Sequence, residues 1–175
     1  MREDKSNIVL IGMPGAGKST VGVILAKQTS RNFIDTDVLI QILQGRLLQD
    51  IVDTDGHMVL RRIEEDTVLG LHCSHHVIAT GGSVVYSHVA MEHLRSNGII
   101  VFLEADLLTL ESRIHDFDTR GLAKRPDQSL SELFQERVTL YKKYADITVD
   151  CVHFSQEEVC RQIIRRIKTR MPARK

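Results

Sequence analysis

The run Ile8-Val9-Leu10-Ile11-Gly12-Met13-Pro14-Gly15-Ala16-Gly17-Lys18-Ser19-Thr20, "IVLIGMPGAGKST", decides the fold. Its first four residues are all apolar, as expected of a parallel strand covered on both faces. Gly12 to Ser19 then match G-x-x-x-x-G-K-[ST] in full. Beyond the match, Val21, Ile24, Leu25 and Gln28 recur at helical spacing. Strand, glycine loop and helix are the context in which this motif cradles phosphate. The loop through Gly12, Gly15, Ala16, Gly17 and Thr20 can turn successive backbone N–H groups onto phosphate oxygens, and the helix N-terminus adds its positive end. Lys18 reaches the β- and γ-phosphates, and the Ser19 hydroxyl can ligate Mg²⁺. The chain is expected to bind ATP or GTP.

Outward from this loop, strand-like and helix-like stretches alternate. Asn32–Asp37, "NFIDTD", reads as a second strand. Residues 38–71 read as several helices with a break near Asp53–Gly56. "HVIATGG" reads as a third strand, and a helix follows from Ser87 to Asn97, with Gly98 as its C-cap residue. Ile99–Ala105 is a fourth strand and Leu107–Ile114 a helix. Residues 115–128 lack periodicity and read as a loop. Ser129–Glu132 and Ser155–Glu158 look like capping boxes that open two further helices, with the strand "ITVDC" between them. Such alternation implies right-handed βαβ crossovers. The expected fold is an α/β P-loop NTPase sandwich of three layers. A five-stranded parallel sheet carries helices on both faces, joined by a helical region at 38–71 and a lid loop at 115–128. Ligands in such folds sit at the carboxyl ends of the strands.

The chain has 175 residues, which fits one domain spanning 1–175. Lys+Arg and Asp+Glu both number 23, so no net charge draws the chain toward nucleic acid, and 5% aromatics offers few stacking platforms. Three cysteines without a CxxC pair point to a reducing compartment. No apolar run is long enough to span a bilayer, and "MREDKSN" is no signal peptide. A cytoplasmic monomer is expected. "HCSHH" at 72–76 reads as a surface connection, and Tyr141 and Tyr144 as helix packing.

A GTPase needs a guanine-reading NKxD, which is absent; Asp53–Gly56 fits only the loose DxxG pattern. A short P-loop chain with a basic loop suggests a small-molecule kinase. Asp35 and Asp37 are two apart, so they point the same way if the strand persists there. One can serve Mg²⁺ and the other an acceptor hydroxyl. On the helix carrying "LRRIEED", Arg61–Glu64 and Arg62–Glu65 have the spacing of ion pairs, either as a solvated face or as an arginine braced to grip an anion.

Together "GMPGAGKST", "FIDTDVLIQ", "LRRIEED", "TGGS" and "ERVTLYKKYADITVD" resemble the shikimate kinases in order and spacing, over nearly the whole chain. The resemblance implies ATP-dependent phosphorylation of the 3-hydroxyl of shikimate, with Mg²⁺. It implies that Lys18 and Ser19 serve phosphate and magnesium, and that Asp35 helps hold Mg²⁺. It assigns Asp37 to the shikimate hydroxyls, Arg61 and Arg137 to the shikimate carboxylate, and Arg113 to adenine. Gly81 and Gly82 match the first two of three family glycines that lie against the substrate. Ser83 replaces the third, where its hydroxyl can bond the acceptor, cap the next segment or narrow the pocket. In the lid, Arg125 before Pro126 matches the family's arginine better than Arg120, though both remain candidates. Other readings are a related kinase for another small hydroxylated acid or a nucleoside monophosphate, and a non-catalytic ATP-binding regulator.

Overall fold

The structure is a computed structural model in which residues 5–113 and 121–170 are described. Five strands form one sheet: β1 (Asn7–Ile11), β2 (Asn32–Asp35), β3 (His76–Ala79), β4 (Gly98–Glu104) and β5 (Ile147–Asp150). Their spatial order is β2-β3-β1-β4-β5, and every pairing is parallel. The continuous apolar strands take the middle: β1 is buried throughout and β4 in all but its last residue. β5, at one edge, alternates buried and half-buried residues. This is the division that two-sided covering imposes on a parallel sheet.

Eight helices surround the sheet: α1 (Lys18–Thr29), α2 (Thr36–Gln44), α3 (Leu48–Asp55), α4 (His57–Leu69), α5 (His88–Asn97), α6 (Leu107–Arg113), α7 (Leu130–Tyr144) and α8 (Gln156–Arg170). α1 and α8 pack together, with Val21, Leu25, Val159 and Ile163 buried between them and the sheet. α5 packs on β4 and on α4, and α7 packs on β4. The helices of residues 36–69 build a small core of their own from Ile40, Ile51 and Leu60, and Ala123 joins it from the lid segment. Among the described residues, no helix is long and apolar enough to cross a membrane.

Several local expectations are changed by the structure. β2 stops at Asp35, so Asp37 lies in the first turn of α2 and not on a strand. Asp35 forces the change: its carboxylate accepts from the Asp37 and Val38 N–H groups and caps the helix. Gly98 is extended (φ −132°) and begins β4 directly, without a left-handed cap. A Cβ there would stand 2.6 Å from the Leu94 carbonyl oxygen. The Ser129 capping box forms in both directions. At α8, Ser155 Oγ accepts from Glu158 N–H, while the Glu158 carboxylate turns to Arg161.

Candidate active site

The carboxyl ends of β1, β2 and β3 converge on a cavity of about 600 Å³. The loop after β1 forms one wall. Gly12 (φ 149°) and Gly17 (φ 96°) hold backbone conformations that side chains disfavour, and this lets the loop curl before α1 starts. Lys18 folds back over it, donating to the carbonyl oxygens of Gly12 (2.8 Å) and Met13 (3.0 Å). Burial pushes its ammonium down to about 8, with Asp37 the main opposing influence. Gly15, Gly17, Lys18, Ser19 and Thr20 line the cavity; Gly12 and Ala16 shape the turn behind them.

Asp35 and Asp37 take separate tasks. One Asp35 oxygen caps α2; the other accepts from the Ser19 hydroxyl at 2.5 Å. A hydroxyl and a carboxylate oxygen side by side at the phosphate loop are the donor set that a hard divalent cation takes. Asp37 faces the cavity, and burial raises its carboxyl to about 6.

α4 presents Leu60, Glu64 and Val68 to the interior, one turn apart. Glu64 is therefore buried, and the expected Arg61–Glu64 pair does not form. Glu64 accepts instead from the Ser83 hydroxyl, and burial pushes its carboxyl up to about 8. Arg61, one position round the helix, lies 3.6 Å over the Tyr86 ring and donates to the Ala123 carbonyl oxygen (3.3 Å). Arg62 is exposed.

Arg137 is almost fully buried, on the α7 face that also carries Leu133, Tyr141 and Tyr144. It donates to the same Ala123 oxygen at 2.9 Å. Both arginines keep a buried Nε–H without a partner among the described residues. Two guanidiniums thus converge on one oxygen with donor capacity left over, an arrangement suited to a carboxylate.

Gly81 and Gly82 are required by the protein's own side chains. A Cβ on Gly81 would collide with Glu64 Oε1; one on Gly82 would meet Arg137 Nη1 at 2.8 Å and Pro14 Cδ at 3.0 Å. Their backbone is pinned from two sides. Thr36 Oγ1 accepts from Gly81 N–H (3.0 Å), and the Tyr141 hydroxyl donates to the Gly82 carbonyl oxygen (2.6 Å).

Arg113, at the end of α6, lines the cavity and donates to the Cys151 carbonyl oxygen (2.8 Å). Gly121, Leu122 and Ala123 line the opposite side. Arg125 lies outside the lining and pairs with Glu136 at 4.0 Å. Arg120 lies outside the described residues. Sequence reasoning missed Glu64 as an inward group, and missed Thr36, Tyr86, Tyr141 and the Ala123 carbonyl. A signal existed for Tyr141: it follows Arg137 by four residues, and a charged residue on an apolar helical stripe marks a buried site.

Comparison with known proteins agrees with this geometry. The family model described as "Shikimate kinase" matches residues 14–168. The shikimate kinase of Caldanaerobacter subterraneus subsp. tengcongensis is 36% identical over 162 residues, covering 91% of this chain and 94% of that one. The shikimate kinase of Thiobacillus denitrificans is 38% identical over 149 residues, covering 83% and 81%. Among solved structures, the Acinetobacter baumannii shikimate kinase in complex with shikimate superposes with a TM-score of 0.89 at 27% identity, covering 98% of this chain and 97% of that one. The Aquifex aeolicus enzyme superposes at 0.81 with 31% identity, covering 95% and 99%. With the match running from the phosphate loop to the last helix, this chain belongs to the shikimate kinase family.

Proposed function

We propose that this chain transfers the γ-phosphoryl group of ATP to the 3-hydroxyl of shikimate, giving ADP and shikimate 3-phosphate. One observation carries the reading: a single cavity runs from Lys18 and Ser19 to Asp37 and the buried Arg137. Donor and acceptor machinery therefore open onto the same space. The likeness to a relative solved with shikimate bound supports the choice of acceptor.

Phosphoryl transfer needs positioning and charge neutralisation more than covalent help. Arg61 and Arg137 grip the acceptor's carboxylate, which gives them a charged partner in place of the neutral Ala123 carbonyl. Gly81 and Gly82 let the ring approach the backbone. Asp37 orients the 3-hydroxyl. Its oxygen bonds to the γ-phosphorus as the bond to the β,γ-bridging oxygen breaks, and its proton passes to Asp37. Lys18 holds the β- and γ-phosphate oxygens through the transfer.

Ser19 and Asp35 are the residues that would hold Mg²⁺. Bound there, Mg²⁺ neutralises charge on the phosphate oxygens. Arg113 sits against adenine. Arg125 supplies the lid cation after exchanging its Glu136 partner for phosphate, with Arg120 as the competing candidate. Every group the reaction needs comes from one chain, so a monomer in the cytoplasm suffices.

A coupled assay of ADP release tests this with shikimate, other hydroxy acids, nucleoside monophosphates and no acceptor. Turnover is expected to require shikimate. Turnover only with another acceptor leaves a related kinase, and no acceptor-dependent turnover at all removes the kinase reading. In the same assay Arg125→Ala is expected to slow kcat with ATP binding retained. A loss confined to Arg120→Ala assigns the lid cation to Arg120.

A further inference from the structure

Ser83 follows the two glycines, and three elements decide what it can do. Its side chain is 3% exposed. It precedes the 3-10 turn Val84–Tyr86 without capping it, so its hydroxyl is free of local backbone duty. That hydroxyl donates to Glu64 Oε2 on α4. The other oxygen, Glu64 Oε1, lies on the far side, at the place where a Gly81 Cβ would sit. The same place is 2.7 Å from Asp37 Oδ1. Glu64 and Asp37 thus face each other across Gly81, and both line the cavity.

The charges around the pair come from four helices. Glu64 is faced by Asp37 from α2, Arg137 from α7, Arg61 from its own α4 and Lys18 from α1. Asp37 is faced by Lys18, Asp35 and Arg137 besides Glu64. Two carboxyl groups this close retain a proton between them more readily than both ionise. Burial raises Glu64 to about 8 and Asp37 to about 6, so near neutral pH the retained proton resides mainly on Glu64. A protonated carboxyl has one O–H and one oxygen left as acceptor. Ser83 occupies Oε2 as the acceptor, which leaves the proton to Oε1, on the side of Asp37.

We propose that Ser83 is a positioning residue for phosphoryl transfer: by holding Glu64 Oε2 it turns Oε1 and its proton toward Asp37, which keeps Asp37 the ionised partner of the acceptor hydroxyl. The proposal rests on the kinase reading above. Without the Ser83 hydroxyl, Glu64 turns freely and Asp37 loses a donor. A carboxylate that loses a donor is harder to ionise, so its titration moves to higher pH. The acidic limb of kcat/KM for shikimate therefore moves up by about one unit in Ser83→Ala and Ser83→Gly. On that limb the loss is about tenfold, and it closes by pH ~9, where Asp37 is ionised in either case. The Kd for ATP stays within about twofold, because Lys18 and Ser19 keep their partners.

The test records pH profiles for the parent, Ser83→Ala, Ser83→Gly, Glu64→Met and Ser83→Ala/Glu64→Met. Non-additivity is expected: Ser83→Ala adds no shift once Glu64 is gone. A full additional shift on the Glu64→Met background overturns the proposal. So does a rise in KM of equal size at every pH, which would make Ser83 a direct substrate contact or a packing residue. If Ser83→Ala does not fold, Ser83→Gly, which introduces no atoms, serves in its place. A ¹³C NMR titration of Asp37 without acceptor gives a readout independent of turnover. Its midpoint is expected to rise in either Ser83 variant, and an unchanged midpoint overturns the proposal. If the parent shows no shikimate-dependent turnover, the kinase reading falls by itself, and the Asp37 titration then decides the Ser83 linkage alone.

Discussion

Lys18 is the residue whose role follows most directly from its surroundings. It is a buried cation held by two carbonyl oxygens of its own loop, and burial brings it down to about 8. Lys18→Met is expected to lower kcat by roughly 10²-fold or more, as for other groups aimed at transition-state charge. Circular dichroism should show the fold intact, since the substitution removes a charge that the interior holds at a cost. Gly82→Ala tests the acceptor wall. The added Cβ meets Arg137 Nη1 at 2.8 Å and Pro14 Cδ at 3.0 Å, so the arginine must shift. The expected outcome is a rise of about tenfold or more in the KM for shikimate, from misplacement of a positioning group, with the Kd for ATP little changed. Steady-state kinetics with each substrate varied in turn separates the two. At this scale the chemistry of Lys18, Ser19, Asp37 and Arg137 was legible as residue type and spacing. The tie between Ser83 and Glu64 was not, because the partners lie nineteen residues apart and meet only when α4 turns Glu64 inward.

Asp35 shows how one element end can do two things. It caps α2 with one oxygen and meets the Ser19 hydroxyl with the other. Asp35→Asn keeps a good capping residue, so the thermal midpoint should stay within about 2 °C, while Asp35→Ala should lose about 1 kcal/mol of cap and about 2–4 °C. Both should raise the Mg²⁺ concentration needed for half-maximal turnover. Calorimetry and a Mg²⁺ titration of activity separate cap from metal ligand. Ser87, which accepts from Ala90 N–H at 3.0 Å, has the capping task alone. Ser87→Ala should cost about 1 kcal/mol in a denaturant melt and leave kinetics unchanged. Helices with strong punctuation, such as α7 behind its Ser129 box, were readable in advance. The end of β2 was not, because "FIDTD" is consistent both with a strand that continues and with a cap that stops it.

At the scale of the whole molecule, three buried ionisable groups share one cavity and link stability to pH. Asp37 and Glu64 are raised in the folded state, to about 6 and about 8. A carboxyl raised on folding favours the protonated form, so its contribution is fully present below its unfolded value near 4 and is lost as pH rises through the folded one. Lys18 is lowered to about 8, so its cost is present below that pH and is relieved above it. Glu64→Gln removes one of these titrations. Its thermal midpoint relative to the parent should therefore climb between pH 5 and pH 9 in the acceptor-free protein. Melts across that range check the sign, and a difference that is flat or falls with pH contradicts the raised carboxyl. The sequence by itself determined the phosphate loop, the parallel α/β order and the identity of most polar groups at the site. Those features are local: a motif needs only its own spacing, and a buried parallel strand only its unbroken apolar run. Only the tertiary structure decided that Arg61 lies on Tyr86 and not beside Glu64, that Ala123 lends both arginines an oxygen, and that Gly81 and Gly82 make room for Glu64 and Arg137. Each of those contacts joins elements far apart in the chain, where distance and burial, set by packing, choose among partners that residue type alone leaves equal.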